Sequence, residues 1–333
     1  MTEETGEPLP ENLPPANPPF LDGSWEKAGR SPVVAAIIGV LIIGAIYFNG
    51  QSLITTIAML ASGAFGAIAA DKGGFVENLT TIARLKKNPI LISVFITQYA
   101  LMLLPTIYLV RKWHSTHVRK YIRLRRCSFR EIGLAILATV SFFPLNIAIS
   151  GMFIRALHVP DFLLKINNIL FTAQTGKEFL WLTIVIAVTP ALCEEILFRG
   201  YFQRSCERVI GWKSVILAGG LFGLYHMQPL GLLSLSTMGL LFGYLYFRSG
   251  SLLTSMAAHF TNNFLVLLVN YVTRSSTSVE LMSGYFATTA IIAGSLVAEV
   301  VILRYFHTIT KDKKTEDIQE LSIRQPAPDE VPP

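Results

Sequence analysis

Long apolar runs constrain the fold of this chain more than any other feature of its sequence. Hydrophobic residues make up 52% of the 333 residues and charged residues only 15%, whereas a soluble globular protein carries about a quarter charged residues. A helix that crosses a membrane needs about 20 predominantly apolar residues. The candidate spans are 33–49, 89–110, 132–154, 178–203, 214–227, 231–248, 252–272 and 286–306. None shows the alternating pattern of a strand, so the sequence predicts an all-α, polytopic membrane bundle of about eight transmembrane helices.

One further apolar segment, 52–70, has no single interpretation. It is rich in Ala, Gly, Ser and Thr, and it follows the first span after only three residues, 49–51. It could be a ninth span, a re-entrant segment or a helix in the membrane interface. We favour the last two over the first.

The distribution of positive charge predicts the orientation of the spans. Cytoplasmic loops of membrane proteins are enriched in Lys and Arg, and the loop 111–126 is the strongest basic cluster of the chain. Its basic members are Arg111, Lys112, Arg119, Lys120, Arg123, Arg125 and Arg126. With eight spans, a cytoplasmic position for this loop places both termini in the cytoplasm, whereas a ninth span would move the N-terminus outside. The discordant basic residues, on the predicted outer side, are Lys72, Arg84, Lys86 and Lys87.

The two ends of the chain differ in composition from the apolar part between them. Residues 1–31 are rich in Pro and Glu, and residues 307–333 are charged and end in prolines. Such compositions cannot bury a core, so we predict disordered cytoplasmic tails on either side of a membrane domain at 32–306. The net charge of +6 is concentrated between apolar runs. This pattern indicates a lipid bilayer as a partner and no nucleic acid.

Two adjacent glutamates lie within one of the apolar runs. Glu194 and Glu195 follow Pro190 and precede Arg199 in the run 178–203. A charged side chain at the centre of a membrane helix costs roughly 2.5 kcal/mol or more, so an ionisable residue here indicates a functional site. Adjacent helical residues point about 100° apart, so the two carboxylates face different surroundings. Glu195 and Arg199 are four residues apart with the acid first, which predicts a structural ion pair and leaves Glu194 as the freer carboxylate.

Two further apolar runs carry histidines. His226 lies near the end of the fifth run, after Phe222, which we interpret as a wall residue of a site. His259 and Asn263 are four residues apart and therefore share one face of their helix. With a rise of ~1.5 Å per residue, Glu194 and these three polar residues lie about 10–18 Å from the predicted cytoplasmic ends of their helices. Their common depth predicts one polar site within the membrane.

Glycines recur one helical turn apart in the same part of the chain. Gly219 and Gly223 lie in one apolar run, and Gly239 and Gly243 lie in the next. Small residues at this spacing let the backbones of membrane helices approach closely. The pattern therefore predicts tight helix packing.

Three short motifs stand in order on successive apolar runs. They are Glu194-Glu195-Ile-Leu-Phe-Arg199, Phe222-Gly-Leu-Tyr-His226 and His259-Phe-Thr-Asn-Asn263. This ordered set resembles the CPBP family of CAAX proteases and bacteriocin-processing endopeptidases, which includes the Ras-converting CAAX endopeptidase. The motif region, 178–272, is under a third of the chain. The resemblance implies an intramembrane endopeptidase whose site opens to the cytoplasmic side of a plasma membrane, the inner membrane of a bacterium.

The resemblance also implies a role for each polar residue of the motifs. It implies that Glu194 is the catalytic glutamate and that His226 helps to hold the attacking water. It implies that His259 and Asn263 also belong to the site and stabilise the oxyanion. These residue types suit the reaction, because peptide hydrolysis needs a general base and donors aimed at the developing oxyanion.

Whether a metal takes part stays open at the level of sequence. Glu194, His226 and His259 form a set that zinc could bind, with a water in the fourth position. The sequence contains no His-Glu-x-x-His pattern. We favour a glutamate-dependent mechanism, without a certain cofactor, in which Glu and His activate the water directly.

Two other functions fit buried ionisable residues on a helical membrane fold. A proton-coupled carrier uses buried Glu and His as relays, but it predicts internal repeats and paired broken helices that this sequence lacks. A non-catalytic binding or immunity protein could keep the same fold and motifs. For an endopeptidase, the sequence limits the substrate only to a peptide or a membrane protein.

Overall fold

This computed structural model describes residues 20–63, 74–158, 160–228, 231–273 and 285–311. These residues form twelve helices, and none of them lies in a strand. The predicted all-α polytopic bundle is confirmed. In chain order the helices are α1 (Ser24–Lys27), α2 (Pro32–Ala61), α3 (Phe75–Leu85), α4 (Lys87–His114), α5 (Val118–Tyr121), α6 (Phe129–Ala156), α7 (Asp161–Phe171), α8 (Gly176–Ile210), α9 (Lys213–Tyr225), α10 (Leu232–Ser249), α11 (Leu252–Thr273) and α12 (Tyr285–Ile309).

Each of the eight predicted spans corresponds to one helix, but the helices differ in length. Among the described residues, six helices are long and apolar enough to cross a membrane: α2, α4, α6, α8, α11 and the Thr289–Ile309 part of α12. Helix α9 has 13 residues, so it is about 20 Å long and shorter than a hydrocarbon core of about 30 Å. Helix α10 has 18 residues and is not among the six. These two shorter helices, α9 and α10, follow α8 and precede α11 in the chain, and they pack against each other.

The prediction for 52–70 is wrong in its first part, because α2 continues without a break through residues 49–61. Nδ2 of Asn49 donates to a backbone carbonyl of the preceding turn at 2.7 Å, and Nε2 of Gln51 donates to a threonine hydroxyl one turn later at 2.8 Å. These polar side chains find partners on the helix and do not interrupt it. Residues 64–70 lie outside the described residues.

The segment 20–31, predicted to be disordered, is folded against the bundle. Glu26 in α1 is buried, and its carboxylate accepts hydrogen bonds from both Nη atoms of Arg208, at 2.5 and 2.9 Å. Nδ1 of His114 lies 2.6 Å from the same carboxylate. A buried charge needs such partners, so the contacts fasten α1 to the ends of α4 and α8.

Most of both predicted tails falls outside the described residues. This applies to residues 1–19 and 312–333, for which disorder stays a prediction. Residues 307–309, predicted to begin the C-terminal tail, instead form the last turn of α12. The folded part of the chain therefore exceeds the predicted membrane domain at both ends.

Two of the four discordant basic residues have partners that explain their position. Nζ of Lys87 donates to Oε1 of Glu178 at 2.7 Å and to the carbonyl of Thr172 at 2.6 Å. Nζ of Lys86 donates to the carbonyl of Ser62. These charges join the start of α4 to the start of α8 and to the end of α2, so they have a local structural role.

Helix α8 is the most enclosed of the six long helices. In its most apolar part 61% of the residues are buried, compared with 39% or less in the other five. It packs against α2, α4, α9 and α11. A helix surrounded in this way can hold polar side chains away from lipid, where neighbouring helices supply their partners.

Glycines bring α9 and α10 into close contact. A Cβ atom on Gly239 would lie 2.8 Å from the carbonyl oxygen of Gly219, and one on Gly223 would lie 2.6 Å from a backbone carbonyl of α10. Contacts this short require the absence of a side chain. The tight helix packing predicted from the glycine spacing is confirmed for this pair.

Candidate active site

Helix α8 changes its geometry on both sides of the glutamate pair. It contains π-helical turns at Thr183–Val188 and Ile196–Gln203, separated by the α-helical residues Thr189–Glu195. π-helical turns within α-helices are frequent at functional sites. The glutamates thus stand in a short regular segment between two irregular ones.

Glu194 is surrounded by polar groups from other helices. Its Oε1 accepts a hydrogen bond from Nε2 of Gln98 on α4 at 3.0 Å. Its Oε2 lies 3.7 Å from Nε2 of His226 and has no hydrogen-bond partner among the described residues. The phenols of Tyr47 on α2 and Tyr225 on α9 also lie within electrostatic reach of this carboxylate. Three helices that are distant in sequence therefore build its surroundings.

His226 is held by the helix end that it caps. Helix α9 ends at Tyr225, and the last carbonyls of a helix lack backbone donors. Nδ1 of His226 lies 2.7 Å from the carbonyl oxygen of Phe222. A carbonyl can only accept, so Nδ1 carries a proton and donates it, which makes Nε2 an acceptor in the neutral ring. This acceptor is the atom that faces Glu194.

The space between Glu194 and His226 suits a water molecule. A separation of 3.7 Å is too long for a direct hydrogen bond. With an ionised carboxylate and a neutral ring, both atoms are acceptors, so one water can donate to each of them. The side chain of His226 is 25% exposed and that of Glu194 is 10% exposed. The pair can therefore bind a water at the edge of an otherwise buried site.

Glu195 belongs to a second, fully enclosed cluster. Its Oε1 accepts hydrogen bonds from Nη1 of Arg199 at 2.7 Å and from Nδ1 of His259 at 2.8 Å. The side chains of Glu195 and Arg199 are completely buried. Nη2 of Arg199 continues to the carbonyl of Gly239 at 2.9 Å. The structure thus contains the ion pair that the spacing predicts, and the pair joins α8 to α10 and α11.

Aromatic rings separate the two clusters and enclose the second. The ring of Phe222 lies 4.7 Å from that of His226 and 5.6 Å from that of His259, measured between centroids. The guanidinium of Arg199 lies 4.7 Å from the centre of the same ring. Phe242 stacks on His259 at 5.1 Å. Phe222 therefore forms a wall between the two clusters, and the rings exclude water from the Glu195 cluster.

Asn263 is oriented by an irregularity of α8. Pro190 has no N–H, so the carbonyl of Ile186, four residues earlier, lacks its α-helical donor. Nδ2 of Asn263 on α11 donates to this carbonyl at 2.8 Å, and Oδ1 of Asn263 accepts from Nδ2 of Asn262 at 3.0 Å. These two bonds fix the plane of the amide, which retains a second N–H on Nδ2.

The structure brings the predicted site residues together as two groups rather than one. Glu194 faces His226, whereas His259 contacts Glu195, and Asn263 contacts the backbone of α8. The possible metal set of Glu194, His226 and His259 is therefore not assembled. No group of three His, Cys, Asp or Glu side chains that could hold a metal ion occurs in the described parts of the chain. The residues present do not fit a zinc site.

Sequence reasoning missed three residues around Glu194: Gln98, Tyr47 and Tyr225. Gln98 is a polar residue in the middle of the apolar run 89–110, and its depth alone could have marked it as a site candidate. The two tyrosines gave no such signal, because tyrosine is common in membrane helices. Only the packing of α2 and α9 against α8 brings them to the carboxylate.

The comparisons with known proteins give one finding. Residues 175–265 match a family model described as Rce1-like, Type II CAAX prenyl endopeptidase Rce1-like. Neither the curated proteins nor the solved structures include a match to this chain. The matched range contains all three sequence motifs, and with them Glu194, Glu195, His226 and His259, whereas Gln98 lies outside it. The family resemblance that the motifs indicate is confirmed over this range.

Proposed function

We propose that this chain, which carries an Rce1-like domain at residues 175–265, is an intramembrane endopeptidase that cleaves a peptide bond near the cytoplasmic face of the membrane. Glu194 acts as the general base, and His226 holds the attacking water with it. Asn263 donates to the oxyanion, and His259, on the same helix, supports Asn263 indirectly through its hydrogen bond to Glu195. The mechanism contains no step on a metal.

The observation that carries the proposal is the arrangement of Glu194 and His226. The Phe222 carbonyl fixes the ring of His226 with Nε2 as the acceptor, 3.7 Å from Oε2 of Glu194. The other carboxylate oxygen is anchored by Gln98 at 3.0 Å. One water that donates to both acceptors has a lone pair free for attack, which is the geometry that general-base hydrolysis requires.

The reaction balances with this pair alone. Glu194 removes one proton from the water while the water oxygen forms a bond to the peptide carbonyl carbon, and the C=O electron pair moves onto the carbonyl oxygen. The second N–H of Asn263 Nδ2 donates to this oxyanion. His259 lies on the same face of α11 as Asn263 and, through its hydrogen bond to Glu195, holds this face of α11 against α8. When the C–N bond breaks, Glu194 returns the proton to the leaving nitrogen, and the products are a carboxylic acid and an amine.

The proposed substrate is a membrane-bound peptide or protein with a prenylated CAAX end, the substrate class that the name of the matched family gives. A site enclosed by membrane helices suits a substrate that a lipid chain holds at the bilayer. A carrier or a binding protein would need no water placed between a carboxylate and an imidazole, so no observation favours either alternative.

The test is cleavage of quenched fluorescent peptides by the purified full chain in detergent. The peptides carry a CAAX end with and without a farnesyl group. We expect wild type to cleave them and Glu194→Gln to lower the rate by a factor of about 100 or more, with an unchanged melting temperature. A Glu194→Gln protein that retained the wild-type rate would exclude Glu194 as the base.

A second arm of the same experiment concerns the metal. The wild-type protein is assayed after treatment with a zinc chelator and again after zinc is restored. We expect the rate to be unaffected by the chelator. Activity that is lost with the chelator and recovered with zinc would overturn the metal-independent mechanism while leaving the endopeptidase function in place.

A further inference from the structure

One carboxylate within the membrane domain lies outside both glutamate clusters. Glu299 stands halfway along the apolar part of α12, Thr289–Ile309, and is 7% exposed. Oγ of Ser141 on α6 donates to its Oε2, whereas its Oε1 has no hydrogen-bond partner and no basic side chain pairs with it among the described residues. A carboxylate can accept about four hydrogen bonds. An ionisable residue at this depth with unused acceptor capacity indicates a functional site.

Glu299 lines a cavity of about 600 Å³ that residues of α6, α9, α10 and α12 enclose. Leu303, one helical turn after Glu299, lies on the same face of α12 and also lines it. The other walls are mainly apolar and aromatic, with Phe142 from α6, Ile216 from α9 and Tyr244 from α10. A cavity of this volume, with apolar walls and few polar groups, is typical of a binding site for a small molecule.

The carboxylate limits what can fill this cavity. A lipid acyl chain would fit the apolar walls but would bring no donor to Glu299. The hydrocarbon core of a bilayer supplies no water in its place, and a buried polar group without a partner costs free energy. The occupant that the cavity favours therefore combines an apolar body with one hydrogen-bond donor.

The charges around the cavity favour a neutral occupant. Arg248, near the end of α10, lines the same cavity as Glu299. A cationic ligand would meet this guanidinium and an anionic ligand would meet the carboxylate, and burial of a further charge has its own desolvation cost. A hydroxyl group avoids these costs, because it donates to an ionised carboxylate and accepts from a protonated one.

We propose that this cavity binds a neutral, lipid-soluble alcohol whose hydroxyl group contacts Glu299 and whose hydrocarbon part lies against the apolar walls. The site is separate from the proposed peptide site. Helix α10 lines the cavity with Leu241 and Tyr244, whereas its Gly239 and Phe242 contact the Glu195 cluster. Binding of the alcohol therefore does not depend on the proposed peptidase function.

The test uses the purified full chain in phosphatidylcholine nanodiscs and a photoreactive probe, a decanol with a diazirine on its chain. Labelled peptides are identified by mass spectrometry, and unlabelled 1-decanol, decane and decylamine compete with the probe at equal concentrations in the bilayer. We expect labelling of the cavity walls. We expect 1-decanol to protect them at a concentration about tenfold lower than the other two compounds require, the effect of one hydrogen bond to a carboxylate.

Three results of this competition would overturn the proposal. Equal protection by decane would show an apolar groove in which Glu299 has no role. Stronger protection by decylamine would show that the site selects a cation. The absence of labelling at the cavity walls would exclude the site.

Substitution of Glu299 tests the contact to the hydroxyl group. Glu299→Leu removes the carboxylate and suits apolar surroundings at membrane depth, so we expect it to fold with a melting temperature close to that of wild type. In this variant 1-decanol and decane should protect equally. Glu299→Gln keeps an acceptor oxygen and should keep most of the preference for 1-decanol. An unchanged preference in Glu299→Leu would contradict the proposal.

Two matched substitutions on α9 test the position of the ligand. Ile216 lines the cavity and is 55% exposed, whereas its neighbour Leu217 is 43% exposed and does not line it. Ile216→Trp places a larger side chain in the cavity and should abolish most of the labelling, and Leu217→Trp should leave it unchanged. Equal labelling in the two variants would show that the alcohol binds elsewhere. All of these readouts are independent of peptide cleavage.

Discussion

Glu194 and Glu195 are neighbours in sequence with opposite surroundings. Glu194 is anchored through one oxygen by Gln98 and presents the other to His226, at the accessible edge of the site. Glu195 is completely buried and shares one oxygen between Arg199 and His259. The first arrangement leaves an oxygen available for chemistry, and the second uses the carboxylate to join helices.

Substitution of Glu195 tests this division. Glu195→Gln removes the counter-ion of a buried arginine, and removing one partner of a buried pair costs about 3–5 kcal/mol. We expect a clearly lower melting temperature and a loss of cleavage that follows the loss of folded protein. Glu194→Gln is the matched control, with the same chemical change one residue away and an unchanged melting temperature.

A double variant shows whether Glu195→Gln destabilises the protein because it breaks the ion pair with Arg199. Glu195→Gln with Arg199→Met removes both charges, so it should recover part of the stability that Glu195→Gln alone loses. If the double variant is less stable than the sum of the two single variants predicts, the ion pair is not the source of the effect. Thermal unfolding in one detergent measures all four proteins.

Gln98 positions Glu194 without contact to the reacting atoms in our mechanism. Gln98→Met keeps the volume of the side chain and removes the donor to Oε1. We expect kcat to fall about tenfold, the cost of about 1.4 kcal/mol for a hydrogen bond to a charged group, with little change in KM. An increase in KM with unchanged kcat would assign Gln98 to substrate binding instead.

At the scale of elements, the pair α9–α10 supports the site through close backbone contact. The Cβ of an alanine at 219 would lie 2.9 Å from the backbone nitrogen of Leu240, whereas one at 220 would meet nothing within 4 Å. We expect Gly219→Ala to destabilise the protein by about 1–3 kcal/mol through overpacking. Gly220→Ala, the matched control in the same helix, should be neutral or slightly stabilising because alanine favours helix.

The site should respond to the same change, because His226 caps the end of α9 and the Arg199 guanidinium bonds to the carbonyl of Gly239 on α10. Separating the two helices would move both contacts. Melting temperature and cleavage rate are therefore measured together. Equal melting temperatures for Gly219→Ala and Gly220→Ala would contradict the importance of the close approach.

At the scale of the whole molecule, the buried carboxylate of Glu26 is one of the contacts that fasten the N-terminal segment, beside the hydrogen bonds that Thr116 donates to Asp22. Burial raises the pKa of Glu26, but the hydrogen bonds from Arg208 and His114 outweigh burial, so its pKa lies below the ordinary value of 4.5. A group whose pKa is lowered by folding stabilises the protein above its unfolded-state pKa. That stabilisation is lost as the pH falls through the lowered, folded-state pKa.

This linkage predicts the pH dependence of a Glu26→Gln variant. At neutral pH we expect the variant to melt at a clearly lower temperature than wild type, because Arg208 loses its bidentate partner. The difference should begin to shrink as the pH falls below about 4.5, where the carboxylate of the unfolded chain takes up a proton, and should vanish as the pH passes through the lower pKa of the folded state. A difference that stayed constant over this range would show that the charge of Glu26 is not what fastens the segment.

The sequence by itself determined the fold class, the three motifs and the pair Glu195–Arg199. These follow from local rules: apolar length decides whether a segment can cross a membrane, and a spacing of four decides which side chains meet on one helix. The match of residues 175–265 to the Rce1-like family falls on the motifs for the same reason. The continuity of α2 through residues 49–61 also depends on local sequence, but the Ala, Gly, Ser and Thr of the segment after residue 51 led to the wrong prediction of a separate element.

Only the tertiary structure decided which residues meet across helices. His259 contacts Glu195 rather than Glu194, Gln98 reaches Glu194 from α4, and Glu26 docks a segment whose composition predicts disorder. None of these follows from spacing, because the rotation of one helix against another is set by the fit of all side chains between them. Single residues can nevertheless fix that rotation. Pro190 leaves the carbonyl of Ile186 free to accept from Asn263, and glycines allow the backbones of α9 and α10 to approach closely.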